Sequence, residues 1–123
     1  MLRSFLAVLV LTGVTLADDS KIKVKVGDAF PDVAVKATNI DQIKKGAKEV
    51  SIKDLKGKVV VIFFYPRALT GGCTTESCGF RDLAKEFPEG SVILGASNDG
   101  VELNQKFNDK EMLPYPLLCD TES

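Results

Sequence analysis

The chain has 123 residues, enough for one domain, and its 45% hydrophobic and 27% charged content is the balance of a soluble globular protein. Its 16 basic and 17 acidic residues are interspersed, so no basic stripe points to nucleic acid. With no histidine anywhere, His-ligated metal and haem sites and every Cys–His or Ser–His catalytic pair are excluded.

Residues 1–17 read as a cleavable signal peptide. Arg3 supplies a positive start, residues 5–14 an apolar stretch, and Thr15, Leu16 and Ala17 the residues a signal peptidase reads, with Asp18 next. The apolar stretch is shorter than the ~20 residues that span a bilayer, which weakens a membrane anchor. An organelle-targeting signal is the other competing reading. On this basis a single domain covers residues 18–123 in a secreted, periplasmic or organelle-lumen setting, where disulfides persist.

Residues 21–26 alternate polar and apolar side chains, the pattern of a half-buried strand, and Gly27 and Asp28 end it. Residues 30–35 form a short extended piece, and the lysine-rich residues 39–48 a loop. Ser51 and Asp54 have the spacing of a cap on one helical turn, stopped by Gly57. Residues 59–65 are apolar throughout and rich in β-branched and aromatic types, which predicts a strand in the centre of a sheet. Residues 74–87 carry Phe80, Leu83, Ala84 and Phe87 on one helical face, ended by Pro88 and Gly90. Residues 91–97 are a second buried strand, parallel to the first across a right-handed crossover. Asp99 caps a further helix, with Leu103 and Phe107 facing inward. Pro114 and Pro116 lead into residues 117–119, the start of another strand.

Cys73 therefore sits where a buried strand hands over to a helix, the place at which α/β folds put their chemistry. A thiol reacts as its thiolate, and unpaired N–H groups at a helix start favour that anion. Thr70, across Gly71 and Gly72, can donate a hydrogen bond to the sulfur or to a substrate oxygen. Pro66 fixes the exit from the strand and can shield the sulfur from water. Cys78 follows five positions later. In an intact helix such a pair has Cα atoms ~8–9 Å apart on diverging faces, and a disulfide wants them within ~7 Å. The two react only if the helix unwinds, and Gly79 eases that. A redox cycle results: Cys73 becomes a sulfenic acid on a peroxide, Cys78 condenses with it, and an external dithiol restores both. A structural disulfide or two unrelated buried cysteines are the competing readings. The Cys-x4-Cys spacing is not that of a zinc site. Cys119 reads as a small buried residue at a strand end, with an alternative resolving thiol as a remote second reading.

Pro66, Thr70 and Cys73 have the spacing of the peroxiredoxin active-site signature. Residues 72–82, together with 25–32, 55–58 and 113–118, resemble the bacterioferritin-comigratory, or peroxiredoxin Q, branch of that family. The resemblance implies a thioredoxin-like α/β fold, a central mixed sheet flanked by helices, and reduction of hydrogen peroxide and organic hydroperoxides. It implies Cys73 as the peroxidatic cysteine and Cys78 as the resolving one, with Thr70 positioning the peroxide and Pro66 covering the pocket. Thioredoxin or a similar dithiol would be the reductant, with no cofactor and no metal, and the chain would act as a monomer. Gly71 stands where the branch carries proline, which implies a looser loop. Family members continue through further strands and a closing helix, so the fold is expected to lack its C-terminal part. Their later-strand arginine has no match here, and Arg67 and Arg81 are the nearest cations in sequence. Two alternatives stay open: a thioredoxin-like thiol–disulfide oxidoreductase, which should carry Cys-x-x-Cys, and a catalytically silent thioredoxin-fold binding module.

Overall fold

The apolar runs at residues 59–65 and 91–97 become adjacent parallel strands. A computed structural model of the chain describes residues 24–122. The expected signal peptide and the first half of the strand expected at 21–26 lie outside those residues. In chain order the elements are β1 (Lys36–Ala37), β2 (Val60–Phe64), α1 (Gly71–Leu83), β3 (Val92–Ser97), α2 (Val101–Glu111) and β4 (Leu117–Cys119), with 3₁₀ turns at Ile40–Gln42, Ile52–Leu55 and Ala84–Glu86. The four strands pair in the order β1-β4-β3-β2. β2, β3 and β4 run parallel, and β1 is antiparallel to β4. The sheet is thus mixed, and the strand–helix–strand unit is built as its sequence pattern predicts.

Alternation along β2 divides the two faces of the sheet. Val61, Phe63 and the following Tyr65 point at α1 and α2. There they join Ile93, Phe107, Leu113, Tyr115 and Leu117 in one core, with Phe80, Ala84 and Leu103 packed against it. Phe63 stacks on Phe80 at 4.4 Å between ring centroids and meets Tyr115 edge-on at 5.7 Å. Ile62, Phe64, Leu94 and Leu118 face the other way, onto an apolar groove of about 210 Å³ completed by Phe30, Val50 and Leu55. Gly95 marks the tightest approach of strand to core. A Cβ there would lie 2.6 Å from Leu117 Cδ2 and 3.0 Å from the rings of Phe63 and Tyr65.

The structure corrects several sequence expectations. β2 is not central: within the described sheet it is one of the two edge strands, with Phe64 71% exposed. Apolarity on both faces is explained by the helices on one side and the groove on the other, and says nothing of the strand's edge. Residues 24–26 are not in a strand, and Val26 enters a turn at Gly27. Residues 30–34 also stay outside the sheet. Val35 makes an isolated antiparallel bridge with Val50, and the pairing strand β1 follows it. α1 begins at Gly71, three residues earlier than its pattern suggests. Its inward stripe runs Cys73, Ser77, Phe80, Ala84, while Leu83 turns out to solvent. The cap spacing at Ser51 and Asp54 does mark a turn, in which the Ser51 N–H donates to the Asp54 carboxylate at 3.0 Å.

Candidate active site

β2 delivers the chain to the site. Tyr65 continues its line, its N–H donating to the Ala96 carbonyl at 3.0 Å. A loop of residues 66–70 then crosses to α1. Its centre, Ala68, is buried, while Pro66, Leu69 and Thr70 are exposed. Leu69 has φ +64°, a left-handed conformation that a bulky residue adopts only under constraint. The Thr70 hydroxyl donates to the Arg67 carbonyl at 2.9 Å, so in this state it closes its own loop. Thr70 occupies the N-cap position, and its carbonyl accepts the Thr74 N–H at 2.8 Å. The N–H groups of Gly71, Gly72 and Cys73 therefore lie ahead of the helix ladder, in the turn where backbone favours an anion.

Cys73 lies in that first turn, 6% exposed, in the same cluster as Phe63, Tyr65 and Ala68. Pro66 borders a cleft of about 300 Å³ at the carboxyl ends of β2 and β3, shared with Tyr65, Ser97 and Asn98. Ala68 of the loop shares the buried cluster of Cys73, while Pro66 and Thr70 are exposed and Cys73 does not line the cleft beside Pro66. Cys78 is elsewhere on α1, half-buried, with its Sγ 3.8 Å from Glu111 Oε2 at the end of α2. Both are free thiols and α1 is continuous through them, as the helix geometry requires of an unlinked pair. Arg81 belongs to the Cys78 side. Its Nη1 donates to the Glu111 carbonyl at 2.5 Å and its Nε to Asp82 at 2.9 Å.

Behind the loop is a buried polar network that the sequence reading missed. The Tyr65 hydroxyl donates to Asn104 Oδ1 at 2.6 Å, and Asn104 Nδ2 donates to Ser97 Oγ at 3.2 Å and to Cys119 Sγ at 3.3 Å. Asn104 shares the inward face of α2 with Phe107 and Asn108, so the spacing 104, 107, 108 was the available signal. Burial pushes the Tyr65 hydroxyl well above the usual phenol range, which keeps it a hydrogen-bond donor. Burial likewise pushes the Cys119 thiol up, opposed by the bond from Asn104. Cys119 is a buried free thiol in this network, as its position at a strand end suggested. The expected cap at Asp99 is not formed. α2 starts from Gly100, and the Asp99 carboxylate accepts the Ala68 N–H at 2.6 Å instead.

A family model described as the AhpC/TSA family matches residues 26–123. Peroxiredoxin Bcp of Bacillus subtilis (strain 168) is 40% identical over 100 residues, which cover 80% of this chain and 59% of that protein. The crystal structure of peroxidoxin BcpB from Mycobacterium tuberculosis superposes with a TM-score of 0.66 at 39% identity, over 78% of this chain and 59% of that one. Peroxiredoxin Q of Xanthomonas campestris gives a TM-score of 0.63 at 32% identity, over 73% and 53%. The chain spans little more than half the length of these relatives.

Proposed function

The chain belongs to the AhpC/TSA family, with relatives in the Bcp and peroxiredoxin Q branch and the thioredoxin-like fold of the peroxiredoxins, and on that premise we propose that it is a thiol-dependent peroxidase. The single observation that carries the reading is the placement of Cys73. It is buried in the first turn of a helix, in one cluster with Ala68 of the constrained loop that carries Pro66 and Thr70.

The Cys73 thiolate attacks one oxygen of a hydroperoxide. The S–O bond forms, the O–O bond breaks, and the departing alkoxide or hydroxide takes up a proton to leave as alcohol or water. The product on the chain is the Cys73 sulfenic acid. Burial of the sulfur limits access to a small substrate, hydrogen peroxide or a slim organic hydroperoxide. Thr70 positions it once its hydroxyl leaves the Arg67 carbonyl, and Pro66 keeps water out. Cys78 then attacks the Cys73 sulfur. An S–S bond forms and the sulfenic oxygen leaves as water, which requires α1 to unwind first. An external dithiol, thioredoxin or a protein like it, reduces the disulfide to two thiols and is itself oxidised. We place this activity in a monomer outside the cytosol, exported by the signal peptide read in residues 1–17.

Stopped-flow mixing of the reduced chain with hydrogen peroxide tests the reading. The expected result is rapid peroxide loss with two thiols consumed per peroxide. Cys73→Ser abolishes both, while Cys78→Ser leaves the first oxidation and stops the disulfide. Peroxide consumption unchanged in Cys73→Ser refutes the assignment. A rate no faster than that of free cysteine favours a silent module.

A further inference from the structure

Asp99 stands where a helix cap was expected and does something else. It follows β3, and the loop of residues 66–70 follows β2. Because β2 and β3 are paired parallel neighbours, the two segments leave the sheet side by side. The Asp99 carboxylate spans the gap, and its Oδ2 accepts the Ala68 N–H at 2.6 Å across 31 residues of sequence. The same oxygen accepts the Ser97 hydroxyl at 3.2 Å, while the Asp99 N–H donates back to Ser97 Oγ at 3.3 Å. Asn104 Nδ2 donates to the Asp99 carbonyl at 3.3 Å. Asp99 is thus itself held from two directions. A carboxylate acceptor of this kind makes about twice as strong a bond as a neutral one.

What it holds is the segment whose Ala68 shares a buried cluster with Cys73. Ala68 is 3% exposed and adjoins Leu69, whose left-handed backbone needs an external constraint to persist. The next residue is Thr70. The loop's own tie, Thr70 Oγ1 to the Arg67 carbonyl, closes a turn but anchors it to nothing outside the loop. The Asp99 bond connects that turn to the sheet.

We propose that Asp99 is a positioning residue for the Cys73 site: it locks the 66–70 loop so that Pro66 and Thr70 present a bound peroxide to the sulfur. The inference rests on the peroxidase reading. It is the cross-strand bond from Asp99 to Ala68, and not the capping of α2, that makes this side chain matter.

The test separates loop positioning from general damage. The variants are Asp99→Ala, Asp99→Asn and Asp99→Glu in the full chain. Two second-order rates are read on Cys73, oxidation by hydrogen peroxide and alkylation by iodoacetamide, which needs no ordered peroxide pocket. Misplacing a reacting group by about 1 Å costs up to about 100-fold. Asp99→Ala is therefore expected to slow peroxide oxidation by about 10- to 100-fold and to change alkylation by less than about threefold. Asp99→Asn keeps the size and one acceptor, and is expected to fall between Asp99→Ala and the unaltered chain. Asp99→Glu is expected to recover part of the peroxide rate. If Asp99→Ala does not fold, the Asp99→Asn ratio decides. Peroxide rates within about twofold of the unaltered chain, or parallel loss of both rates, overturn the proposal. An unaltered chain whose Cys73 meets peroxide no faster than free cysteine would instead sink the peroxidase reading, and this proposal with it.

Discussion

Replacing Gly79 by alanine tests whether α1 must open for Cys78 to reach Cys73. Gly79 sits inside α1, one residue past Cys78, and a Cβ built there meets nothing within 4 Å. The substitution therefore brings no clash and acts on the backbone alone. Alanine in place of glycine within a helix favours the helical state by about 0.5–1 kcal/mol. If disulfide formation passes through an unwound segment that includes residue 79, the unwound fraction falls by roughly two- to fivefold, from RT of about 0.6 kcal/mol. The rate of disulfide formation falls with it. Oxidation of Cys73 itself, proposed to take place on the folded helix, is expected to keep its rate. The assay adds one equivalent of hydrogen peroxide, quenches by acid at set times, and counts sulfenic acid and disulfide by mass. A higher denaturant midpoint confirms that the helix has gained stability. A Gly79→Ala chain that is more stable and forms its disulfide at the original rate refutes the unwinding argument. The disulfide would then form by a route that leaves residue 79 helical.

Other consequences concern the core and its pH dependence. Gly95→Ala pushes a methyl against Leu117, which is fully buried, and against two aromatic rings. Overpacking of this kind costs about 1–3 kcal/mol, read as a lower urea midpoint with an unchanged slope. Asn104→Ala strips the buried Tyr65 hydroxyl of its acceptor and Ser97 and Cys119 of a donor. Ser97 keeps Asp99 and Cys119 keeps the Leu117 carbonyl, so at about 1–3 kcal/mol for the Tyr65 hydroxyl left unpaired the melting temperature is expected to fall by at least about 4 °C. Alkali should also destabilise the fold. Burial raises Cys119 above its ordinary 9.0, and Tyr65 and Tyr115 above 10.0. The unfolded chain therefore releases these protons first, and stability present below pH 9 is lost as pH rises towards the folded values, by up to about 1.4 kcal/mol per pH unit per group. Urea midpoints that stay level between pH 7 and 10.5 contradict this.

The parts of the structure legible in the sequence are those written in local patterns. Residues 59–65 and 91–97 announce themselves as strands by composition, and their parallel pairing follows from the helix between them. The position of Cys73 at the head of that helix follows too, because Gly71, Gly72 and the preceding strand are local signals. Patterns failed where the deciding contact is distant. Nothing near residues 36–37 specifies that they pair with 118–119, and the local pattern puts the extended piece at residues 30–35 instead. Large residues define the face of α1 in the sequence pattern, but the core accepts Cys73 and Ser77 and leaves Leu83 outside. Hydrophobic periodicity gives small side chains little weight, although they bury as completely as large ones here.

Asp99 shows the same limit at the site itself. An aspartate beside a glycine ahead of a helical pattern is a sound cap by local rules. A cap satisfies an amide that water can also reach. The Ala68 N–H is in a segment folded inward, and leaving it unpaired would cost more than leaving the helix end to solvent. The carboxylate goes to the amide with fewer alternatives. That preference links the strand ends of β2 and β3, and through Asn104 it reaches α2 and Cys119 on β4. The loop before Cys73 is thereby tied to three elements that its own sequence does not mention.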